Sequence, residues 1–387
     1  MLFVTPSFYP AVFFGGPIFS NLELIKGLKN NDVDISVLTT NSNFPNRLTI
    51  KRYPNDELCV EYCWAEINSR LSLELLVKIV KKLKNFDVLH VESVFDLSTL
   101  VSFFAAVLYK KKVICSPRGS ISYYTLGSGN KIVKKLFLRF IIWCTKKLDV
   151  KFHFTSLKES AETQDILSDL YGALNITGFL VPNSVPAMNQ LDEASMLRNL
   201  KLSQRLSDKN KITIGYIGRI NRKKRLELQI SAANNLKDTI SEFDWLFAGS
   251  SDDGSLADLN DLVTSYSLDN HVSFVGFLDG ENKQSFLKNL DILVLASETE
   301  NFGNVILEAL LYGAKIVFSD NLPWDNLEVL TVGKSCQLNE CSISDAVKKI
   351  INAKGLNEVN LLAVESLLTR FTSSTVAKKM RVEYEIW

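Results

Sequence analysis

The sequence predicts an α/β protein built from two successive, doubly wound halves. Three observations carry this. Strand-like apolar runs alternate with amphipathic helical segments along most of the chain. The alternation breaks after Val181 and restarts at Lys211. The 387 residues exceed what one ordinary core encloses, so two domains are expected.

The elements follow in order. Leu2–Thr5 reads as a strand, followed by a Pro-, Gly- and aromatic-rich loop, Pro6–Gly16. Pro17–Lys29 reads as a helix, with Pro17 suited to its first turn. Val33–Thr39 is a strand, Leu71–Lys84 a helix, Asp87–Val91 a strand with a helix after it to Tyr109, and Lys112–Ser116 a strand. Lys131–Leu148 is a basic amphipathic helix, Lys151–Thr155 a strand, and a further helix starts at Leu157. Thr177–Val181 is the last strand of this half. Pro182–Pro186 breaks it, and the polar stretch to Asn210 reads as a linker.

The second series has strands at Lys211–Ile217, Trp245–Gly249, Val272–Val275, Ile292–Ala296 and Ile316–Ser319. Its helices are Leu226–Leu236, Leu256–Tyr266, Glu281–Asn289 and Val305–Tyr312, the last with Gly313 at its C-cap. The expected domains are 1–190 and 191–370, two Rossmann-like halves with a cleft between them.

Bulk properties narrow the class. Net charge is +1, which argues against a general nucleic-acid binder. The six cysteines, Cys59, Cys63, Cys115, Cys144, Cys336 and Cys341, form no Cys-x-x-Cys pair and read as reduced thiols of a cytoplasmic protein. The N-terminus reads as a strand rather than a cleavable leader. The longest apolar stretches fall short of the roughly 20 residues of a spanning helix. His90, His153 and His271 are scattered and make no ligand pattern, so no metal is expected.

Five constellations carry chemistry. Gly218-Arg219 and Lys224 follow a strand, where Arg grips a diphosphate through two bonds and Lys neutralises it. Ser297–Gly313 places Glu300 on a strand–helix loop, Phe302-Gly303-Asn304 at the helix entry and Glu308 inside the helix. Amides there suit an anion, Glu300 a sugar hydroxyl and Glu308 vicinal ribose hydroxyls. Two carboxylates on one such connection do not flank a scissile bond, which disfavours a glycosidase pair. Gly15-Gly16-Pro17 opens a helix, suiting either a phosphate-approach loop or a plain turn. Arg118, after the strand Lys112–Ser116, suits either a phosphate or acceptor contact or an exposed turn. Residues 131–147 interleave Lys and Arg with Leu, Phe, Ile and Trp, which suits an anionic membrane surface. Their place between two strands favours a helix packing its apolar side on the sheet. Asp252-Asp253 reads as a loop acid pair, not a metal site.

Taken together, Gly218-Arg219 with Lys224, Phe247-Ala248-Gly249, Val272–Gly276 and Glu300-Asn301-Phe302-Gly303 with Glu308-Ala309 resemble family 4 of the retaining glycosyltransferases. Gly15-Gly16-Pro17, Ser116–Gly119, Thr155-Ser156 with Glu159, Pro182-Asn183 and Leu322–Trp324 are similar to bacterial members. The resemblance implies a GT-B fold with the segment 371–387 crossing back onto the first domain. It implies catalytic roles for Glu300, Arg219 and Lys224, and donor contacts from Gly16, Phe302, Gly303, Asn304, Val305 and Glu308. Arg118 and His90 are the acceptor-side candidates. Arg225 stands where the family usually has Gly, Ser184 where Gly often follows Asn, and Asn301 where Gly is frequent.

The expected activity is metal-independent, cofactor-free transfer of a sugar, with retention, from a UDP- or GDP-sugar. The acceptor is lipid-linked or saccharide, in bacterial surface-polysaccharide assembly, at or near the cytoplasmic face of the membrane. A same-fold epimerase would need a proton-abstracting base, and none stands at a motif position. A periplasmic sugar-binding protein would need a leader.

Overall fold

A computed structural model describes residues 1–43, 46–53, 57–66, 71–172, 176–185, 211–240, 242–251, 253–324, 326–352 and 361–385. The linker expected up to Asn210 and Asp252 therefore lie outside the described residues, apart from the Pro-rich start of that linker. The chain divides into two compact units, Met1–Pro186 with Phe371–Trp387, and Ala187–Arg370.

Unit 1 runs β1 (Leu2–Val4), a 3-10 turn Val12–Phe14, α1 (Gly16–Lys29), β2 (Ser36–Thr40), β3 (Ser42–Asn43), β4 (Asn46–Arg47), β5 (Val60–Cys63) and α2 (Leu73–Leu83). It continues with β6 (Val88–Glu92), α3 (Leu97–Tyr109), β7 (Lys112–Ser116), α4 (Tyr123–Gly127), α5 (Lys131–Thr145), β8 (Val150–Phe154), α6 (Leu157–Tyr171) and β9 (Gly178–Leu180). Its main sheet is parallel throughout, in the order β5-β2-β1-β6-β7-β8-β9. Helices cover such sheets on both faces, which is why Leu2, Phe3 and Val4 of β1 are all buried. In α2 the buried stripe Leu75, Ile79, Leu83 recurs every four residues, and the Ser72 hydroxyl caps its start by accepting from the Leu75 amide.

Helix α5 departs from expectation. Leu138, Ile141, Ile142 and Cys144 do pack inward, but Ile132, Leu136 and Trp143 remain on the surface. Its apolar character is spread over more of its circumference than one neighbour can cover. No helix among the described residues is long and apolar enough to cross a membrane.

Unit 2 runs β10 (Ile212–Ile217), a 3-10 turn Arg222–Lys224, α7 (Leu226–Lys237), β11 (Phe243–Ala248), α8 (Ser255–Ser265), β12 (Val272–Gly276), α9 (Gly280–Asn289) and β13 (Ile292–Leu295). It ends with α10 (Asn304–Leu311), β14 (Lys315–Ser319), α11 (Asn326–Val329), β15 (Gly333–Cys336), α12 (Glu340–Asn352) and α13 (Leu361–Thr369). Its parallel sheet is ordered β12-β11-β10-β13-β14-β15. The chain lays down β10, β11 and β12 in one direction and then returns to start again beside β10 with β13.

The last helix, α14 (Ser373–Glu385), belongs to unit 1 and packs along α1. Gly27 permits the approach: a Cβ there would lie 2.6 Å from the Ser373 carbonyl oxygen and 2.7 Å from the Ala377 Cβ. Val376, Ala377 and Met380 join Phe3, Ile25 and Leu28 in one core. The Ser373 hydroxyl donates to Glu23 at 2.5 Å, and Arg381 donates to the Asn31 carbonyl at 2.9 Å. The six cysteines stand as free thiols, four of them buried.

Candidate active site at the strand ends of unit 2

In a doubly wound sheet, ligands settle where strand order reverses, outside the strand C-termini. In unit 2 that point lies between β10 and β13, which are hydrogen-bonded neighbours. The loop after β10 carries Gly218, Arg219 and Lys224; the loop after β13 carries Ser297 and Glu300. Topology therefore brings together two motifs about 80 residues apart in sequence.

The two loops are tied directly. The Glu298 amide donates to the Lys223 carbonyl at 3.0 Å. The Lys224 ammonium forms an ion pair with the Glu300 carboxylate, both largely shielded from water. The Ser297 hydroxyl donates to the same carboxylate at 2.9 Å, and the Ser319 hydroxyl holds the Ser297 carbonyl at 2.7 Å. Burial pushes the Glu300 carboxyl up, but Lys224 and Ser297 outweigh it, and the group sits below the usual carboxylate range. It is an anion at neutral pH. Arg219 is exposed beside this pair in sequence, and its carbonyl accepts from the buried Tyr216 hydroxyl at 2.8 Å.

Two glycines and one strained residue shape the β10 loop. Gly249, at the end of β11, has φ +154, and a Cβ there would lie 1.8 Å from the Gly218 carbonyl oxygen. No side chain fits. The Gly218 amide donates to the Ala248 carbonyl at 3.0 Å and the Gly249 amide to the Gly276 carbonyl at 2.8 Å, so three strand ends are pinned side by side. Arg225 takes φ +52 at the start of α7. That left-handed conformation favours glycine, and it gives a physical reason for the residue the family usually has there.

The glutamate motif enters α10 through Gly303, at φ +81. Phe302 is buried edge-on against Trp324, ring centroids 5.2 Å apart, and the Trp324 indole N–H donates to the Phe302 carbonyl at 2.7 Å. Asn304 and Val305 form the first turn, where helix amides point outward with the positive end of the dipole. Glu308 lies one turn further, mostly buried and paired with Lys283 of α9 at 2.7 Å. Sequence reading gave no role to Ser297 within the motif and did not single out Lys283 or Tyr216, which act on motif residues from outside the motif spacing.

The remaining candidates, Gly16, Arg118 and His90, lie in unit 1. Gly16 is exposed and begins α1, after Gly15 at φ +75. Arg118 corrects the reading of an exposed turn. It is nearly buried, with Nε and Nη2 donating to the two oxygens of Glu92 at 2.8 and 2.9 Å, and further bonds to Asn21 at 3.0 Å and to Asn183. The next amide, Gly119, donates to Glu159 at 2.7 Å; Glu159 sits at the start of α6 and also accepts from Thr155.

His90 is likewise fully buried in β6 rather than presented to an acceptor. The histidines, scattered in sequence, are not scattered in space: His90, Glu92 and His153 bring ligand atoms within 4.8 Å of one another. Their nitrogens are all engaged. His153 Nε2 lies 2.8 Å from the Val181 carbonyl, so it carries the proton, and Nδ1 accepts from the Ser116 hydroxyl at 2.8 Å. That hydroxyl in turn accepts from His90 Nε2 at 2.7 Å, leaving His90 Nδ1 to accept from the Tyr384 hydroxyl at 2.8 Å. One directed chain satisfies both rings in their neutral form and leaves neither ring a lone pair for an ion. Burial, reinforced by Arg118, holds His90 well below the usual histidine range and His153 down to about 3.

Comparison with known proteins places this fold. Residues 198–357 match the family model described as glycosyl transferases group 1. An uncharacterised 41.2 kDa protein in the cps region of Klebsiella pneumoniae is 22% identical over 335 residues, 84% of each chain. An alpha-1,3/1,6-mannosyltransferase of Dictyostelium discoideum is 30% identical over 239 residues, 56% of this chain and 55% of that protein. Among solved structures, Anabaena HepE in complex with UDP and glucose superimposes with a TM-score of 0.71 at 16% identity, covering 100% of both chains. Residues 198–357 thus match the group 1 glycosyl transferases, and the chain has the GT-B fold.

Proposed function

We propose that this glycosyltransferase takes its sugar from a UDP- or GDP-sugar and passes it to a saccharide or lipid-linked acceptor. The anomeric configuration is retained, no metal is used, and the product belongs to a bacterial surface polysaccharide. One observation carries the reading: the loops after β10 and β13, neighbouring strands at the switch point, carry an exposed Arg219, the Lys224–Glu300 pair and the entry to α10. That combination suits a diphosphate attached to a sugar. The cps-region relative and the UDP-bound neighbour support the pathway and donor class.

In this reading Arg219, Lys224 and the Phe302–Asn304 amides stabilise the charge that grows on the departing diphosphate, as fixed donors do for a developing anion. Glu300 accepts hydrogen bonds from the transferred sugar, and its pairing with Lys224 holds both groups in place before donor arrives. Glu308 binds the ribose hydroxyls, with Val305 packed beside them. The work is done at the cytoplasmic membrane face.

The test is incubation with a panel of nucleotide sugars, with and without membrane lipid extract, scoring released nucleotide. Wild type releases nucleotide from one donor. Glu300→Ala and Lys224→Ala each lose turnover by about 100-fold or more while remaining folded. Full activity in both variants would remove the site assignment; no turnover or binding of any nucleotide sugar would remove the function.

A further inference from the structure

Unit 1 carries a surface that the donor site does not use. Between Leu97 and Leu148 the chain has no Asp or Glu and ten Lys or Arg, in a protein of net charge +1. The rest of the molecule is therefore net negative, and the positive charge is concentrated on α3, α5 and their flanking turns. One of the ten, Arg118, is buried against Glu92. Five of the others are exposed on or just beyond α5, a helix that also shows apolar side chains to the surface.

That apolar surface is unusual in extent. On α5, Ile132 is 73% exposed, Leu136 60% and Trp143 47%; on the adjacent α3, Phe104 is 60% exposed and Leu108 57%. Between the two helices lies a groove of about 430 Å³ walled by apolar side chains, among them Leu100, Phe104, Val133, Leu136, Phe137 and Phe140. Lys131, Lys135, Arg139, Lys146 and Lys147 are exposed on or just beyond the same helix. Lys147 lies over the Trp143 ring, 5.9 Å from its centroid. Exposed apolar patches mark contact sites, and a patch beside a row of exposed cations suits an anionic partner with an apolar layer beneath its charge.

We propose that the α3–α5 face docks on the surface of an anionic lipid bilayer. Ile132, Leu136, Trp143 and Phe104 enter the boundary between headgroups and acyl chains, and the groove takes up hydrocarbon. The lysines and Arg139 stay at headgroup level on their long stems. Trp143 suits that interface, with an apolar ring and one N–H donor. The charge pattern decides against a second copy of this chain, because two such faces would bring like charges together. This proposal rests on unit 1 alone and not on the transfer reaction, so vesicle binding and turnover are judged separately.

The test is co-sedimentation of the full chain with vesicles of phosphatidylcholine alone, or of phosphatidylcholine with phosphatidylglycerol. Binding is expected to the anionic vesicles, to weaken steeply with added salt, and to fall about tenfold or more in Lys131→Glu/Lys135→Glu. Leu136→Ser/Trp143→Ser is expected to weaken binding at high salt as well, where charge is screened. All four positions are exposed, and the salt titration of wild type needs no variant. Failure of wild type to bind anionic vesicles, equal binding to neutral ones, or unchanged binding in the charge-reversed variant would overturn the proposal. So would a dimer in analytical ultracentrifugation that Leu136→Ser converts to monomer while vesicle binding is absent.

Discussion

Each unit ends a parallel strand in an arginine, and the two arginines meet opposite fates. Arg118, after β7, is closed in by Glu92, Asn21 and Asn183. Arg219, after β10, is exposed at the switch point of its sheet, next in sequence to a loop whose Lys224 pairs with Glu300. Position at a strand C-terminus is common to both. What separates them is burial: the Arg118 side chain is almost wholly enclosed and Arg219 is exposed. Unit 1 has turned its strand ends into a buried polar lattice; unit 2 has kept cations, an ionised glutamate and helix amides at an opening.

The comparison is easiest to break with Arg118→Leu. Removing one partner of a buried, hydrogen-bonded ion pair leaves Glu92 uncompensated and is expected to cost about 3–5 kcal/mol in urea unfolding. Nucleotide affinity of the folded fraction should be unchanged. Arg219→Leu is expected to do the reverse, leaving stability within about 0.5 kcal/mol and weakening nucleotide binding. If the two variants exchange these outcomes, the contrast is wrong.

Gly249→Ala comes next. It meets both a 1.8 Å clash with the Gly218 carbonyl and an unfavourable φ. A loss of about 3 kcal/mol is expected, together with reduced turnover, because the β10 loop must move. Wild-type stability would show that the loops are not pinned as described.

The histidine chain offers a pH test. His90 and His153 are held below their unfolded range, His153 at about 3. Between about pH 6.5, the usual histidine value, and 3, the unfolded chain binds protons that the folded one does not. Stability therefore falls as pH drops through this window, by up to about 1.4 kcal/mol per pH unit for each histidine. His153→Gln, which keeps a donor for Val181 and an acceptor for Ser116, should flatten the urea midpoint against pH between 6.5 and 5. An unchanged slope would mean that the rings titrate normally.

The smallest effect is expected from Arg225→Gly. Relieving a left-handed arginine is worth about 1 kcal/mol, partly offset by its exposed pair with Glu227. A thermal midpoint equal to or slightly above wild type is expected, and a marked loss would show that the arginine side chain holds the turn.

Much of this was legible in the sequence, and the reasons are specific. Central strands such as Val113–Cys115 and Ile292–Leu295 read clearly because a parallel sheet buries both faces and demands unbroken apolar runs. The edge strands β5 and β15 escaped notice: Gly333-Lys334-Ser335-Cys336 carries no such run. The unit 2 motifs were visible because each is compact, and a strand–loop–helix context gave it a direction. The unit 1 lattice was invisible because Arg118 finds its partners 26, 65 and 97 positions away, and His90 meets Tyr384 across 294. No local spacing encodes such pairings. The exposed side of α5 was misjudged for a related reason: a helical pattern shows which residues are apolar, not how many neighbours will arrive to cover them.

The central claim is that the open charge cluster of unit 2, not the closed one of unit 1, binds the donor diphosphate. Calorimetric titration of UDP and GDP into wild type, Lys224→Ala and Arg118→Lys tests it most directly. Wild type should bind one of the two nucleotides, Lys224→Ala should bind it at least about tenfold more weakly, and folded Arg118→Lys should bind it as wild type does. Unaltered affinity in Lys224→Ala, with affinity lost in folded Arg118→Lys, would contradict the account.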